Sequence, residues 1–497
     1  MYTVLRGDLT PAATALALAL LALPAQPQQP SAPTPSQPAT SQPAPQTSQQ
    51  PGPQPGPQPG QGAQVRTGTS SGLDADARIQ NLLADHQYSR AESELANLPP
   101  DQAQLYRGIL ANRSNDLKNS IQLLEPLVDQ IAASGNFAHE KLLRQALAED
   151  YLRQGDWAKA TVAYEALNAR LGAKLTPDQQ DEIELPVKLL PLAKDNPPMT
   201  VDPCDPFTLQ VSQDPLGLTD IPVFVDADPK TWMLDPTAPF NLLSRSTAKE
   251  VGIKISEDTA TIHTLTGKPI QVHMAVVPRF TIGGRLTLNN MTVFVYDDAD
   301  YYFPHTQYQV EGVLGYPALV ALGSITISDD ATIKVLPAKE ADPEAKADLL
   351  TTGTRFYLDG DQVIVGVSRS SSGPGGGTAQ SEAADDRMYA VDAGGQQTYL
   401  TSRYYDEHAA DFSSLKMELY TPPGYATSPP QPSYVAETVP LTIGNTPIKL
   451  HFTRVLTQPL GSAALDDVYG ILGIDALGQL SSYTFDYRTM RFSVTQQ

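Results

Sequence analysis

The sequence predicts a multidomain α + β protein, in which an N-terminal α-helical repeat module precedes a bilobed all-β domain. In residues 73–195, apolar residues recur three and four positions apart, which is the spacing of one helix face. Beyond Pro197 and Pro198 the chain changes to short β-type runs separated by Gly, Asn and Asp turns. A faint repeat at a spacing of about 158 residues divides this β region into two similar halves.

Two short motifs carry the repeat and keep its register. The matched segments are 234–238 with 391–395, and 312–319 with 470–477. Each half therefore has one Asp after an apolar strand, Asp235 or Asp392, and an apolar-apolar-Gly strand further along. A duplicated fold can bring two such carboxyls together at its pseudo-two-fold axis. Hydrolysis by a carboxyl pair needs that geometry.

Composition excludes several other classes of function. A chain of 497 residues is too long for one core, so two or three domains are expected. The net charge of −21 argues against nucleic acid and anionic membrane surfaces, which are bound by clustered Lys and Arg. The single cysteine, Cys204, cannot form an internal disulfide, and no Cys or His spacing typical of zinc occurs. We therefore expect no cofactor and no metal.

The N-terminus predicts export. Residues 1–25 contain an apolar run, 12–23, followed by a small residue, Ala25, at which a signal peptide could be cleaved. Residues 26–72 are rich in Pro, Gln, Ser, Thr and Gly, which predicts a disordered linker. The mature protein is expected to be periplasmic or secreted, whereas an uncleaved segment would tether it to the membrane.

The helical module, 73–195, contains related turns between helices. The segment 82–91 is similar to 151–160, since a short polar turn precedes an aromatic residue and then an Ala three positions on; a weaker copy begins near Asn115. These features resemble the tetratricopeptide repeat, although the spacings of 29 and 40 residues depart from its regular repeat. The resemblance implies a surface for a protein partner or substrate, and a plain helical bundle is the alternative.

The β region is predicted as lobe 1 at 203–338, a charged connector at 339–351 and lobe 2 at 352–497, with a long loop at 368–386. The predicted strands of the two lobes are 221–225, 231–234, 270–280, 286–296, 332–336, 362–367, 389–391, 439–443 and 448–455. Asp226 and Asp228 are expected in a hairpin turn, because Asp-Pro favours turns.

Each lobe resembles one lobe of a retropepsin- or pepsin-like aspartic peptidase. The family has an apolar strand leading into Asp-Thr-Gly-Ala; here the two loops are Asp235-Pro236-Thr237-Ala238 and Asp392-Ala393-Gly394-Gly395. Gly315 and Gly473 fit the family's apolar-apolar-Gly strand, where a missing side chain permits close backbone approach. The resemblance implies that Asp235 and Asp392 are catalytic and that the loop residues and the two glycines support them.

The loops also depart from the family pattern. Pro236 and Ala393 stand where the family has a Thr whose hydroxyl bonds to the opposite lobe, and Thr237 stands where it has Gly. We therefore expect both cross-lobe hydroxyl contacts to be absent and Thr237 to crowd the first loop.

Two functions follow as alternatives. The first is an exported endopeptidase, in which a water between the carboxyls attacks the peptide bond of a peptide or protein substrate. The second is an inactive peptidase-like fold that binds peptides or acts as a scaffold. If Asp235 is out of place, Asp226 is the expected replacement. Asp475 is expected to be structural. His263 and Gly267 lie where the family has a flap over the substrate, but a plain loop is the expectation for them. The sequence does not indicate an oligomeric state.

Overall fold

The computed structural model describes residues 72–263, 269–304, 306–337, 353–360, 362–369, 387–395, 397–420, 430–459 and 466–496. The predicted signal peptide, the linker up to residue 71, the connector and most of the 368–386 loop lie outside these ranges. Within them, no helix has the length and apolar character that crossing a membrane requires.

The N-terminal part, residues 72–193, is helical, and we call it the helical region. Its α-helices are α1 (Gly72–Ala84), α2 (Tyr88–Glu94), α3 (Pro100–Arg113), α4 (Leu117–Leu124), α5 (Val128–Ser134), α6 (Phe137–Arg153), α7 (Trp157–Leu171) and α8 (Pro177–Ala193). Small and large apolar residues alternate in its core, as with Ala91, Ala160 and Tyr106, so neighbouring helices pack closely.

The three related segments in the sequence are three turns of the same conformation. They join α1 to α2, α3 to α4, and α6 to α7. Two residues after the end of each helix, a residue has positive φ; these residues are His86 (54°), Asn115 (55°) and Gly155 (73°). The next N–H then donates to the carbonyl five residues back, as Asp116 does to Ala111 (2.9 Å). This is a Schellman helix end, and it explains the turn-like sequence signal.

The remainder is mostly β-structure. The first half contains β1 (Thr200–Val201), β2 (Phe207–Gln210), β3 (Ser212–Gln213), β4 (Thr219–Val225), β5 (Asp228–Leu234), β6 (Leu242–Ser244), α9 (Arg245–Glu250), β7 (Ala260–His263), β8 (Pro269–Ile282), β9 (Leu286–Tyr296), β10 (Tyr302–Phe303), β11 (Tyr308–Gln309), β12 (Gly312–Leu314), α10 (Tyr316–Leu322), β13 (Ser324–Ser328) and β14 (Thr332–Leu336).

The second half contains β15 (Thr354–Asp359), β16 (Gln362–Arg369), β17 (Met388–Val391), β18 (Tyr399–Leu400), α11 (Ser402–Phe412), β19 (Glu418–Tyr420), β20 (Gln431–Ile443), β21 (Thr446–Leu456), β22 (Gly470–Leu472), α12 (Ile474–Leu477), β23 (Leu480–Asp486) and β24 (Arg491–Gln496). The strands predicted at 286–296 and 332–336 are confirmed residue for residue, while β20 begins eight residues before the predicted 439–443.

The strands around the two Asp residues have the same order in both halves. In the first, β5 pairs in parallel with β12, β12 antiparallel with β6, and β6 in parallel with β9. In the second, β17, β22, β18 and β21 follow the same sequence of pairings. The registers also correspond, since Leu234 lies opposite Leu314 and Val391 opposite Leu472. Both Asp residues therefore leave equivalent positions of equivalent sheets.

The predicted boundary between two lobes does not separate two sheets. Strands β13, β14 and β2 of the first half continue the sheet that contains β23, β24 and β15 of the second. At the junction, β13 and β23 pair antiparallel with Thr326 opposite Thr484, and their hydroxyls lie 2.9 Å apart. These two residues are 158 positions apart, which is the repeat spacing found in the sequence. One apolar core accordingly runs through both halves.

Candidate active site

Both Asp residues begin loops that are anchored to the neighbouring parallel strand. Asp235 follows β5, and its N–H donates to the carbonyl of Leu314 (3.1 Å). Asp392 follows β17, and its N–H donates to the carbonyl of Leu472 (2.9 Å). The apolar strands thus fix the point at which each carboxyl leaves the sheet.

Gly315 and Gly473 lie where the backbone of each Asp loop approaches most closely. A Cβ on Gly315 would stand 2.3 Å from the carbonyl oxygen of Phe240, and one on Gly473 would stand 2.7 Å from the carbonyl carbon of Gln397. No real Cβ contact is that short, so only glycine fits. The residue after each glycine then bonds to its loop; Tyr316, for instance, donates its N–H to Ala238 (2.9 Å).

Two side chains that were not singled out in the sequence support these glycines. The N–H of Gly315 donates to Asn241 Oδ1 (3.0 Å), and the N–H of Gly473 donates to Thr398 Oγ1 (2.8 Å). Asn241 and Thr398 are 157 residues apart, the same offset as Asp235 and Asp392. That shared offset was the signal that could have identified them.

The two Asp loops face each other. A Cβ on Gly394 would lie 2.4 Å from Asp235 Oδ2, so the carboxylate of the first loop rests against the backbone of the second. The N–H of Ala393 also donates to the hydroxyl of Thr237 across the same junction (3.2 Å). The structure therefore brings the loops of Asp235 and Asp392 together.

The expectation that both cross-lobe hydroxyl contacts are absent is wrong. Thr237 supplies one from the position after Pro236: its Oγ1 accepts from Ala393 while donating to Asp235 Oδ1 (2.6 Å). The Thr237 side chain bonds to the carboxylate of its own loop. The expected crowding of this loop by Thr237 therefore does not occur. Pro236 is buried, and its carbonyl accepts a bond from the hydroxyl of Tyr487 (3.2 Å).

The surroundings of the two carboxyls differ. Burial raises the pKa of Asp235, and three donors on its Oδ1 oppose that rise: the Thr237 hydroxyl, the Thr237 N–H (2.9 Å) and the Ala238 N–H (3.1 Å). Burial first, and then repulsion by Asp235, raise the pKa of Asp392 to about 7, against bonds from the N–H groups of Gly395 and Gly394. Asp235 thus stabilises a negative charge better than Asp392 does.

Three tyrosines near Asp235 were also missed. Burial, followed by the charge of Asp235, raises the pKa of Tyr301 to about 12 and raises those of Tyr483 and Tyr487 further. Tyr301 comes from the segment between β9 and β12, whereas the other two come from the second half. No local pattern distinguishes them, because only the fold brings them to Asp235.

The remaining predicted residues lie elsewhere. Asp226 is exposed in the turn between β4 and β5 (φ 58°), as expected for a hairpin, so it does not complete the pair. Asp228 begins β5. Asp475 accepts bonds from the N–H and hydroxyl of Thr398, consistent with a structural role. His263 ends β7, and Gly267 lies outside the described residues. In the described part of the chain, no cluster of three His, Cys, Asp or Glu residues could hold a metal ion.

Comparison with known proteins supports an aspartic-peptidase-like fold. A family model described as aspartyl protease matches residues 221–318, which include Asp235 but not Asp392. No curated protein matches the sequence significantly.

Solved structures resemble the chain only distantly. Basic 7S globulin from soybean is 11% identical over 59% of this chain and 95% of its own, with a TM-score of 0.36. Conglutin gamma from lupine seeds is 9% identical over 59% and 96%, also with a TM-score of 0.36. A retropepsin-like aspartic protease from Rickettsia conorii is 18% identical over 28% and 92%, with a TM-score of 0.20. Similarities this low say nothing about activity.

Proposed function

We propose that this protein is an aspartic endopeptidase whose catalytic pair is Asp235 and Asp392. The observation that carries the proposal is the junction of the two loops, where Asp235 Oδ2 rests against Gly394 and Thr237 joins Asp235 to the N–H of Ala393. In the proposed pair the two carboxyls share one proton, because ionising both is costly in a buried site.

The reaction assigned to this pair is the addition of water to a peptide carbonyl. Asp235, whose negative charge is stabilised by three donors, takes a proton from the water as its oxygen attacks the carbonyl carbon. Asp392, whose pKa is raised to about 7 by burial and by the charge of Asp235, gives its proton to the carbonyl oxygen. The resulting tetrahedral intermediate collapses as Asp235 gives the proton it took from water to the leaving amine and Asp392 takes back a proton from a hydroxyl of the intermediate, so the C–N bond breaks and the pair returns to its starting state.

The test is cleavage of a mixed peptide library between about pH 3 and 7, a window set by carboxyl pKa values. Asp235→Asn and Asp392→Asn should each abolish cleavage, since an amide can neither accept nor share the proton. Asp226→Asn is the matched control and should cleave normally, because Asp226 is exposed in a hairpin turn. If the Asp235→Asn variant and the Asp392→Asn variant both still cleave the peptide library, the assignment is refuted.

The second candidate is an inactive peptidase-like protein that binds peptides. Pro236 favours it, since this residue has neither the hydroxyl nor the N–H that the family uses at that position. Peptide binding without cleavage in the same library would favour this candidate.

We also propose that the two halves arose by duplication, that the helical region is a tetratricopeptide-like module for a protein partner, and that the protein is exported. The matching strand orders of the two halves support duplication, and the three equivalent turns support a tetratricopeptide-like module. The apolar segment 12–23 supports the third. N-terminal sequencing of protein from fractionated cells tests export, and an intact Met1 on protein from the cytoplasm would contradict it.

A further inference from the structure

The strands that carry the Asp residues also carry apolar side chains on the faces that a peptide would have to reach. Alternate residues of an extended strand share a face, so Met233 lies on the face of Asp235, and Ala390 on the face of Asp392. The intervening residues, Leu234 and Val391, point into the core of the β region. Met233 and Ala390 belong to other apolar clusters, outside that core.

The helical region covers both faces. In the first half, Leu189 and Ala193 of α8 are buried in one cluster with Met233, Leu242 and Val313, from the strands around Asp235. The same cluster includes Ala260, Ile270, Val272 and Met274 of the β7–β8 hairpin. A side chain of a bound peptide that packed on this cluster would compete with Leu189 and Ala193 for the same apolar surface.

In the second half, the core of the helical region continues directly into the strands around Asp392. Met388, Ala390, Tyr399 and Ile471 are buried in one cluster with the helices. The carboxyl-bearing faces of both halves therefore lie under the same helical region.

The ion pairs at the edge of the helical region are partly exposed to solvent, so they can break and re-form. The ion pairs Arg403–Asp85 (3.2 Å) and Arg355–Glu92 (3.3 Å) join the second half to the helical region, and both acidic side chains are about half exposed.

Helix α8 also contains two internal prolines, Pro186 and Pro191. Each removes a backbone hydrogen bond, so α8 is weaker than an uninterrupted helix of its length.

We propose that the helical region is an intramolecular cover of the peptide-binding face, with Leu189 and Ala193 in the place of substrate side chains, and that the site opens when the helical region separates from these strands. This regulation rests on the proposed peptidase function. Since only the open fraction of molecules binds peptide, the apparent Kd equals the intrinsic Kd divided by that fraction. Loosening the cover should therefore tighten peptide binding.

The experiment uses the full chain and two readouts. The first is the Kd of a fluorescent octapeptide in which a statine hydroxyl replaces the scissile carbonyl, measured by anisotropy. The second is kcat/KM for a quenched fluorescent peptide. Leu189→Ser should lower the Kd at least tenfold, because it places a polar group in the apolar cluster. The double variant Asp85→Ala with Glu92→Ala should lower it severalfold and keeps every apolar contact, which guards against loss of folding in the first variant.

Glu250→Ala is the matched control, because its ion pair with Lys230 (2.6 Å) lies wholly within the first half; its Kd should stay at the wild-type value. Tighter binding without cleavage by any variant would support the cover and refute the peptidase function. Cleavage by the wild type with an unchanged Kd in both test variants would overturn the cover and leave the peptidase function standing. Absence of probe binding by all variants, each folded by circular dichroism, would also overturn the cover.

Discussion

Replacing Thr237 by Val removes one hydroxyl and almost nothing else, because the two side chains have nearly the same shape. That hydroxyl donates to Asp235 Oδ1 (2.6 Å) and accepts from the N–H of Ala393 (3.2 Å). The substitution therefore withdraws a donor from the carboxylate that we expect to be ionised, and it leaves a buried N–H of the opposite loop without its partner.

The two losses can be estimated separately. A hydrogen bond to a charged group contributes about 1.5–3 kcal/mol, and an unsatisfied buried N–H costs about 1–3 kcal/mol. Together they predict a loss of about 2.5–6 kcal/mol in the free energy of unfolding at neutral pH. The pKa of Asp235 should rise, because its ionised form loses a donor. The acid limb of kcat/KM should consequently move to higher pH.

The assay combines urea unfolding at pH 7 with a pH profile of kcat/KM. Thr237→Ser keeps the hydroxyl and is the control; it should stay closer to the wild type in both measurements. If the Val and Ser variants have the same stability and the same acid limb, the hydroxyl does not stabilise the Asp235 carboxylate, and the reasoning is refuted.

Three further predictions concern other residues. Gly394→Ala should lower kcat/KM about 100-fold, since its Cβ would stand 2.4 Å from Asp235 Oδ2 and must displace that carboxyl. Asp392→Asn should flatten the loss of stability that the wild type shows as pH rises from about 4 to 7 in urea unfolding: the folded pKa is raised to about 7, so ionising Asp392 opposes folding in that window. Asp359→Asn should cost about 3–5 kcal/mol of unfolding free energy in urea, because Asp359 bonds to Tyr88 (2.6 Å) and pairs with Arg113 (2.9 Å) of the helical region.

Each of these has its own control. Gly360→Ala adds a Cβ in open space at a positive φ, so it should lose some stability and keep its activity. Equal kcat/KM values for Gly394→Ala and Gly360→Ala would contradict the close contact between Gly394 and Asp235. An unchanged pH profile of stability in Asp392→Asn would show that its carboxyl is not desolvated. Asp330→Asn changes a carboxylate in an exposed turn and should cost less than about 0.5 kcal/mol; a similar value for Asp359→Asn would contradict a stabilising pair with Arg113, whose side chain is buried.

The sequence predicted those parts of the site that depend on local patterns. Asp235 and Asp392 stand after apolar runs that can only be buried strands, and Gly315 and Gly473 stand where a Cβ has no room. The repeat itself showed which residues of the first half correspond to which residues of the second. These features are visible in short motifs, even where the contacts behind them join distant segments.

What the sequence did not predict depends on segments that are distant along the chain. Thr237 makes the cross-lobe contact because its loop turns the hydroxyl toward both Asp235 and Ala393, and no rule of spacing states that turn. Leu189 of α8 is buried in one apolar cluster with Met233 and the β7–β8 hairpin, which lie more than forty residues further along the chain. An apolar pattern identifies a buried face but not the surface that buries it.

The pairing of β13 with β23 has a consequence for folding during synthesis. Until β23 leaves the ribosome, β13 is an open edge strand beside β14, and open edges pair with other chains. The sequence of β13, Ser324-Ile325-Thr326-Ile327-Ser328, reads the same in both directions. Two copies could therefore pair antiparallel about Thr326 in the register that β23 adopts, with Ile opposite Ile and Ser opposite Ser. A chain that ends before β23 should form dimers through this edge, whereas in the full chain β23 pairs with β13 and closes the edge.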